Sequence, residues 1–287
     1  MDFRRSAIVL IVCFFFLDVF LFGLVWQKKV ESKTPLNSSI NVIDQMKQDG
    51  ITLPSLPSTD ETAPIIQLTP VSIGPGLNNL QNQSVTLEKN VITAELLPPI
   101  QLGLSTTINE ESFNTLTNFI NNKVLFGDKY VWSSYNATTR KVIYAQKADK
   151  LSIMDGTSQI IVTLNANDQA VSYEQTYAGN VQVLGNKRSL ITAQSAVEVL
   201  FLAGKIPAKS IVSTVKLSYF QSLVLKEFSI YSPAWYVEIR QADGQLVARR
   251  VDAIHGTVLT NETLETTNTQ TQRATTNNTT TQTVQQQ

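Results

Sequence analysis

Residues 159–177 read QIIVTLNANDQAVSYEQTY. β-Branched residues crowd Gln159–Asn165, and apolar and polar residues mix along Ala170–Tyr177. Between them Ala166-Asn167-Asp168-Gln169 holds side chains that favour turns, so the stretch reads as a β-hairpin. Upstream, Tyr130–Tyr135 and Lys141–Lys147 read as two more strands. A helix precedes them. Phe113, Leu116, Ile120 and Val124 recur at helical spacing, which predicts an amphipathic helix over 109–124 ended by Gly127. Thr107 followed by Glu110 three residues later reads as its capping box.

The pattern then repeats in kind. Thr192 caps a helix over Ala193–Leu202, Gly204 ends it, and Pro207 blocks its resumption. Strands follow at Ser210–Tyr219, Leu223–Ile230, Ala234–Gln241 and Leu246–Ile254, with Asp243-Gly244 as a hairpin turn. A helix leading into a four-strand meander therefore occurs twice. This predicts an α+β domain over 40–260, an antiparallel sheet with packed helices, in two similar halves, 40–187 and 188–260. Ahead of this, Ile40–Lys47 has a short helical pattern ended by Gly50. Five prolines between residues 51 and 76 predict extended, irregular chain. Val85–Leu87 and Val91–Leu97 form a strand pair closed by Pro98 and Pro99.

The two ends differ from the middle. After Thr260 the chain is dominated by Asn, Thr and Gln. Such a segment buries too little apolar surface to offset its ordering entropy, which predicts a disordered tail over 261–287. At the other end, Ala7–Val25 is apolar apart from Asp18. At 1.5 Å per residue it is long enough to cross a hydrocarbon core of roughly 30 Å. Trp26, Lys28 and Lys29 close it as interfacial anchors. The reading is a transmembrane helix over 7–26 between a cytoplasmic tail, 1–6, and a juxtamembrane linker, 27–39. A cleaved signal peptide is the competing reading. It fits less well, because its apolar run is shorter and is followed by small residues. Arg4 and Arg5 against Lys28, Lys29 and Lys33 nearly tie the positive-inside rule. A short tail stays in and a large body translocates, so the N-terminus is placed inside and the body outside the membrane.

Composition excludes several functions. Of 287 residues, 23 are basic and 23 acidic, which leaves no electrostatic footprint for nucleic acid. The only cysteine, Cys13, lies in the membrane run, so no disulfide holds the body. His255 is the only histidine and reads as a turn residue. No nucleophile elbow, phosphate-binding loop or zinc-protease motif is present. Glu110 and Glu111 read as helix N-terminal charges, Asp243 as a turn residue and Asp252 as an exposed strand residue. The chain is thus expected to be no enzyme, with no catalytic, cofactor-binding or metal-binding set. Aromatics cluster at Tyr130, Trp132, Tyr135, Tyr144, Tyr173 and Tyr177, and again at Tyr219, Phe220, Tyr231, Trp235 and Tyr236. They serve either as sheet core or as a groove for glycan or peptide.

Asp18 resists a purely structural reading. A carboxylate in mid-membrane costs about 2.5–3.5 kcal/mol on insertion scales. A partner helix offsets that cost through a hydrogen bond, and protonation is the other escape. Asp18, with Phe14, Phe15, Leu21, Phe22 and Val25, is therefore the candidate contact surface for another transmembrane helix.

Several pieces together resemble a known family. They are the Met1-Asp2-Phe3-Arg4-Arg5 start, the polar residue in Leu17-Asp18-Val19-Phe20-Leu21, and Tyr173-Glu174-Gln175-Thr176-Tyr177. With them go Ala196-Val197-Glu198-Val199-Leu200, Ser232-Pro233-Ala234-Trp235-Tyr236-Val237 and the Asp252-Ala253-Ile254-His255-Gly256 close. This arrangement is similar to the YycI family, regulatory accessory proteins of the WalK/WalR (YycG/YycF) two-component system. The resemblance spans residue 1 to about 260. It implies a membrane protein without chemistry that associates with a YycH-like protein and a WalK-like sensor histidine kinase, in a pathway governing cell-wall metabolism.

Overall fold

The computed structural model describes residues 15–18, 39–57, 61–77, 80–104 and 108–259. The chain forms two units, residues 1–45 and 46–287. In the first, residues 15–18 are a helical turn with exposed side chains. Helix α1 (Ser39–Gln48) begins in this unit, as the spacing of Ile40 to Lys47 predicts. No helix among the described residues is long and apolar enough to cross a membrane. Most of the expected span over 7–26, most of the linker and the tail after 260 lie outside the described residues.

The second unit is mostly antiparallel sheet with few helices. Its first sheet has the order β2-β3-β8-β7-β5-β4, and the short β6 (Leu151–Ser152) pairs with the end of β5. The strands are β2 (Gln83–Glu88), β3 (Val91–Gln101), β4 (Tyr130–Asn136), β5 (Lys141–Ala148), β7 (Gln159–Leu164) and β8 (Gln169–Gln175). Period-two burial explains β7: Ile160, Val162 and Leu164 are buried while Ile161 and Thr163 are half-exposed. The β7–β8 turn is made by Asn165, whose Oδ1 accepts from the amides of Asn167 and Gln169, with Asp168 at φ 56°. A 3₁₀ turn (Glu110–Phe113) leads into α2 (Asn114–Lys123), and Phe113, Leu116 and Ile120 pack on Ile92, Tyr144, Ile160 and Tyr173.

The cap of that helix differs from the expectation. Asn109, not Thr107, is the N-cap. Its Oδ1 accepts from the Ser112 amide, and Ser112 Oγ accepts from the Asn109 amide. The box has shifted by two residues because Asn is as good an acceptor as Thr, and Ser closes the pair in place of a carboxylate. Thr107 lies outside the described residues.

The second sheet runs β13-β12-β11-β1-β9, with β10 on the other side of β11. Its strands are β1 (Thr62–Thr69), β9 (Asn180–Ser189), β10 (Ile211–Val224), β11 (Ser229–Arg240), β12 (Leu246–Asp252) and β13 (Val258–Leu259). Helix α3 (Ala193–Leu202) starts at Thr192, whose Oγ1 accepts from the Ser195 amide, and lies over β10, β11 and β12. Trp235, fully buried, donates from Nε1 to the Ile191 carbonyl just before that helix.

Four strand expectations are corrected here. Ser210–Tyr219 and Leu223–Ile230 are not separate strands. β10 runs to Val224 and turns at 225–228, and a register shift between Gln221 and Leu223 absorbs the polar residues. Ser222 Oγ donates to the Ile230 carbonyl, so a segment that reads as a break is satisfied within the ladder. The proline-rich stretch 51–76 contains β1. Pro64 sits at the register shift between Ala63 and Ile65, where a missing N–H costs nothing, and its carbonyl accepts from Tyr219 OH. β3 continues through Pro98 and Pro99 to Gln101, because its pairing with β8 skips from Glu95 to Ile100. β9 has no counterpart in the sequence reading, since it is exposed along nearly its whole length and has no burial alternation to detect. β1 and β9 also bring residues from before 188 into the sheet built by 211–259, so sheet membership does not divide at that boundary.

The sheets join through a small apolar cluster of Ile66, Leu68, Ala148, Ile153, Tyr219 and Tyr231. Polar contacts flank it. Asp155 Oδ2 accepts from the Gln221 amide, and Thr157 Oγ1 shares a hydrogen bond with Tyr231 OH.

Candidate functional site

Beside this joint the two sheets leave a cleft of about 250 Å³. One wall is edge strand β4. Trp132, Ser133, Ser134 and Tyr135, four residues in succession, all line it. A regular strand shows alternate residues to one side; the register shift between Trp132 and Ser134 breaks that alternation. Phe113 braces this wall, 6.4 Å from the Trp132 ring and 5.2 Å from the Tyr135 ring. Facing it are two rungs of the second sheet, Thr214 opposite Glu238 and Lys216 opposite Tyr236. Met154 and Ile108 complete the lining.

The polar groups are held in place. Arg250, the rung neighbour of Tyr236, donates from Nε and Nη2 to the Met154 carbonyl at 2.9 and 2.7 Å, with its guanidinium carbon 5.7 Å from the Tyr236 ring centre. This cation–π contact orients the ring. Burial pushes the Tyr236 hydroxyl up to about 12; the nearby Glu238 adds to that and Arg250 opposes it. Burial also lowers Arg250 from its ordinary value. At neutral pH the ring keeps its proton and the guanidinium its charge. Glu238 accepts from Ser213 Oγ at 2.7 Å. The Trp132 indole N–H is buried without a hydrogen-bond partner. Aromatic faces, one ammonium, one carboxylate and several hydroxyls suit non-covalent recognition of a polar ligand that has an apolar or ring face.

The candidate residues expected from the sequence are dispersed. Phe15 and Asp18 are exposed on the helical turn 15–18, while Phe14, Leu21, Phe22 and Val25 lie outside the described residues. His255 closes a turn: its Nδ1 is 3.0 Å from Asp252 Oδ2, and Asp252 Oδ1 accepts from the amides of Ile254 and His255. Asp252 is thus a turn-capping residue in a largely enclosed position. Glu110 and Glu111 sit in the first helical turn, with Glu110 exposed. Among the described residues no group of three or more His, Cys, Asp or Glu is placed to hold a metal ion. The aromatics divide between the two readings given to them. Tyr130, Tyr144, Tyr173, Tyr219, Phe220, Tyr231 and Trp235 are core, and Trp132, Tyr135 and Tyr236 line the cleft. Lys216, Glu238 and Met154 carried no sequence signal, because only the pairing of β10 with β11 and the docking of the sheets bring them to the cleft.

A model of the YycI protein family matches residues 30–254. The chain belongs to the YycI family. YycI proteins form a regulatory accessory family, and the match covers β1 to β12 while beginning after the apolar N-terminal run. No curated protein matches the chain. Among solved structures, an uncharacterized protein from Eubacterium rectale ATCC 33656 is similar with a TM-score of 0.46 and 9% identity, over 78% of this chain and 99% of that one.

Proposed function

We propose that the chain is a membrane-anchored accessory regulator of a WalK-like sensor histidine kinase controlling cell-wall metabolism. It acts through its N-terminal helix and its extracytoplasmic body, in contact with the kinase and a YycH-like partner, with the N-terminus cytoplasmic. Family membership carries this reading. The apolar run with Asp18 near its middle supports the membrane part, because an unpaired carboxylate there is costly and a partner helix offsets the cost. Body contacts outside then bias how the helices pack, which is a coupling free energy between two sites. Asp18→Leu is expected to weaken co-purification with the kinase and to change kinase output, while the body melts as in the parent protein. Unchanged complex formation together with unchanged output would falsify the membrane-contact mechanism.

A second reading rests on the cleft. Trp132, Tyr135 and Tyr236 with Lys216 and Glu238 fit a surface module that reads a wall glycan or peptide. Titrating wall fragments onto the full-length protein in detergent is expected to give saturable binding that Tyr236→Ala weakens; a flat titration removes this reading.

A further inference from the structure

β9 lies at the end of the second sheet and, among the described residues, pairs only with β1. An edge strand presents alternate N–H and C=O groups outward, ready to pair with another strand. The two parts of β9 differ in how that edge is treated. Beyond Leu184 the edge is disrupted: Gly185 has φ 66°, and pairing with β1 slips from Leu184 opposite Ile65 to Arg188 opposite Ala63. Lys187 and Arg188 follow, both exposed, and neither forms an ion pair among the described residues. Bulges and cations are the usual means of closing an edge.

Residues 180–184, Asn-Val-Gln-Val-Leu, have neither device. Val181 and Val183 remain 37% and 47% exposed, yet their rung partners Leu68 and Ile66 are fully buried. Rung partners share a face, so these valines extend the inter-sheet apolar cluster to an open margin. One more strand with apolar residues at alternate positions would continue that surface.

We propose that Asn180–Leu184 is a docking edge for an extended segment of a partner protein, a short β-branched stretch preceded by acidic residues, added antiparallel to β9. The direction follows from the sheet, whose ladders are all antiparallel. An antiparallel strand sets its N-terminal end beside Lys187 and Arg188, where carboxylates complement the two cations. Neither occupant available within the chain fits these terms. A second copy of β9, laid antiparallel, sets Asn180 and Val181 beside the two cations and supplies no acids there. The residues after 259 follow β13, and to continue this face they would need apolar residues at alternate positions. Leu264 and Val284 are the sizeable apolar residues of that segment, and they stand far apart, so it offers no such alternation. This docking edge stands whether or not the partner is a kinase.

The test uses the full-length protein in lipid nanodiscs and two labelled peptides, DETVTVT and KKTVTVT. The acidic peptide is expected to bind saturably, to slow amide exchange at 180–184, and to bind about tenfold better than the basic one. The double variant Lys187→Glu, Arg188→Glu is expected to reverse that preference. Val183→Lys should abolish binding of the acidic peptide without changing the melting temperature. Absence of protection at 180–184, or a preference that survives the charge reversal, overturns the proposal. So does a dimer that Val183→Lys dissolves, or binding that occurs only after truncation at Leu259, since the edge would then belong to a second copy or to the tail.

Discussion

The two sheets of the body have similar strand counts but are assembled differently. In the first, the strands lie between residues 83 and 175, with β2 to β3, β4 to β5 and β7 to β8 joined as direct hairpins. In the second, β1 sits between β9 and β11, partners more than a hundred residues downstream. Their fastenings differ as well. The margin of the first sheet is fixed by buried amides. Gln146 Nε2 donates to the Gly179 carbonyl, and its Oε1 accepts from Ser158 Oγ and the Ala178 amide; Gln175 Nε2 donates to the Leu125 carbonyl. The second sheet is fastened by aromatic bulk, with Trp235 under α3 and Tyr219 reaching the Pro64 carbonyl. Both sheets rest on apolar cores; the local hairpins add polar pins at their margin, whereas the strand recruited from far away is held by aromatic burial and a carbonyl contact.

Paired substitutions test that contrast. Trp235→Ala is expected to cost about 3–5 kcal/mol, through the cavity and the lost hydrogen bond to Ile191, and to loosen the second sheet first. Gln146→Leu should cost about 2–3 kcal/mol by removing the side-chain donor to the Gly179 carbonyl and the acceptor of Ser158 Oγ, although Ser158 Oγ still accepts from the Ala178 amide. Denaturant midpoints give the totals and amide exchange gives the location. If Trp235→Ala loosens both sheets equally, the two are a single cooperative element and the contrast fails.

Alkaline pH should strain both sheets, through tyrosines. Burial lifts Tyr144 in the first sheet and Tyr236 in the second to about 12, above the ordinary 10.0. The folded form resists ionisation and the unfolded chain does not. The stability linked to these protons is therefore whole below pH 10, falls between 10 and 12, and is gone above 12. Tyr130, Tyr173, Tyr219 and Tyr231 are raised further for the same reason and extend the loss upward. Tyr144→Phe and Tyr236→Phe should each flatten the decline of the urea midpoint between pH 10 and 12. An unchanged slope in either variant would assign the decline to other groups.

The smallest effect separates the two caps considered for the first helix of the body. Asn109→Ala should cost about 1 kcal/mol, while Glu110→Gln should stay within about 0.5 kcal/mol. The reverse order would return the cap to the Thr107–Glu110 pair.

Legibility followed the same division. The hairpins of the first sheet and both helices could be read from local signals: the Asn165 turn, the periodicity from Phe113 to Val124, and the Thr192 cap. β1 was hidden by Pro64, which reads as a strand breaker until the bulge that accommodates it is known. β9 was hidden because an edge exposed on both faces leaves no alternation. The cleft was the least legible part. Trp132 and Tyr236 stand out as aromatics, but nothing local brings them to one wall-lined space; that depends on the bulge in β4 and on how β10 and β11 face it. The apolar run over 7–26 stands out most in the sequence, and most of it lies outside the described residues.

The position of β1 has a consequence in time. A chain made from its N-terminus completes β9, one partner of β1, at Ser189, but β11, the other, ends at Arg240, about 51 residues later. At ~5–20 residues per second that is a wait of several seconds. During it Ile65, Ile66 and Leu68 belong to a short, uncharged, β-prone strand that has β9 on one edge and nothing yet on the other. The chain's exposure to misassembly is therefore concentrated in one strand edge and one interval, and the pace of synthesis between residues 189 and 240 sets its length.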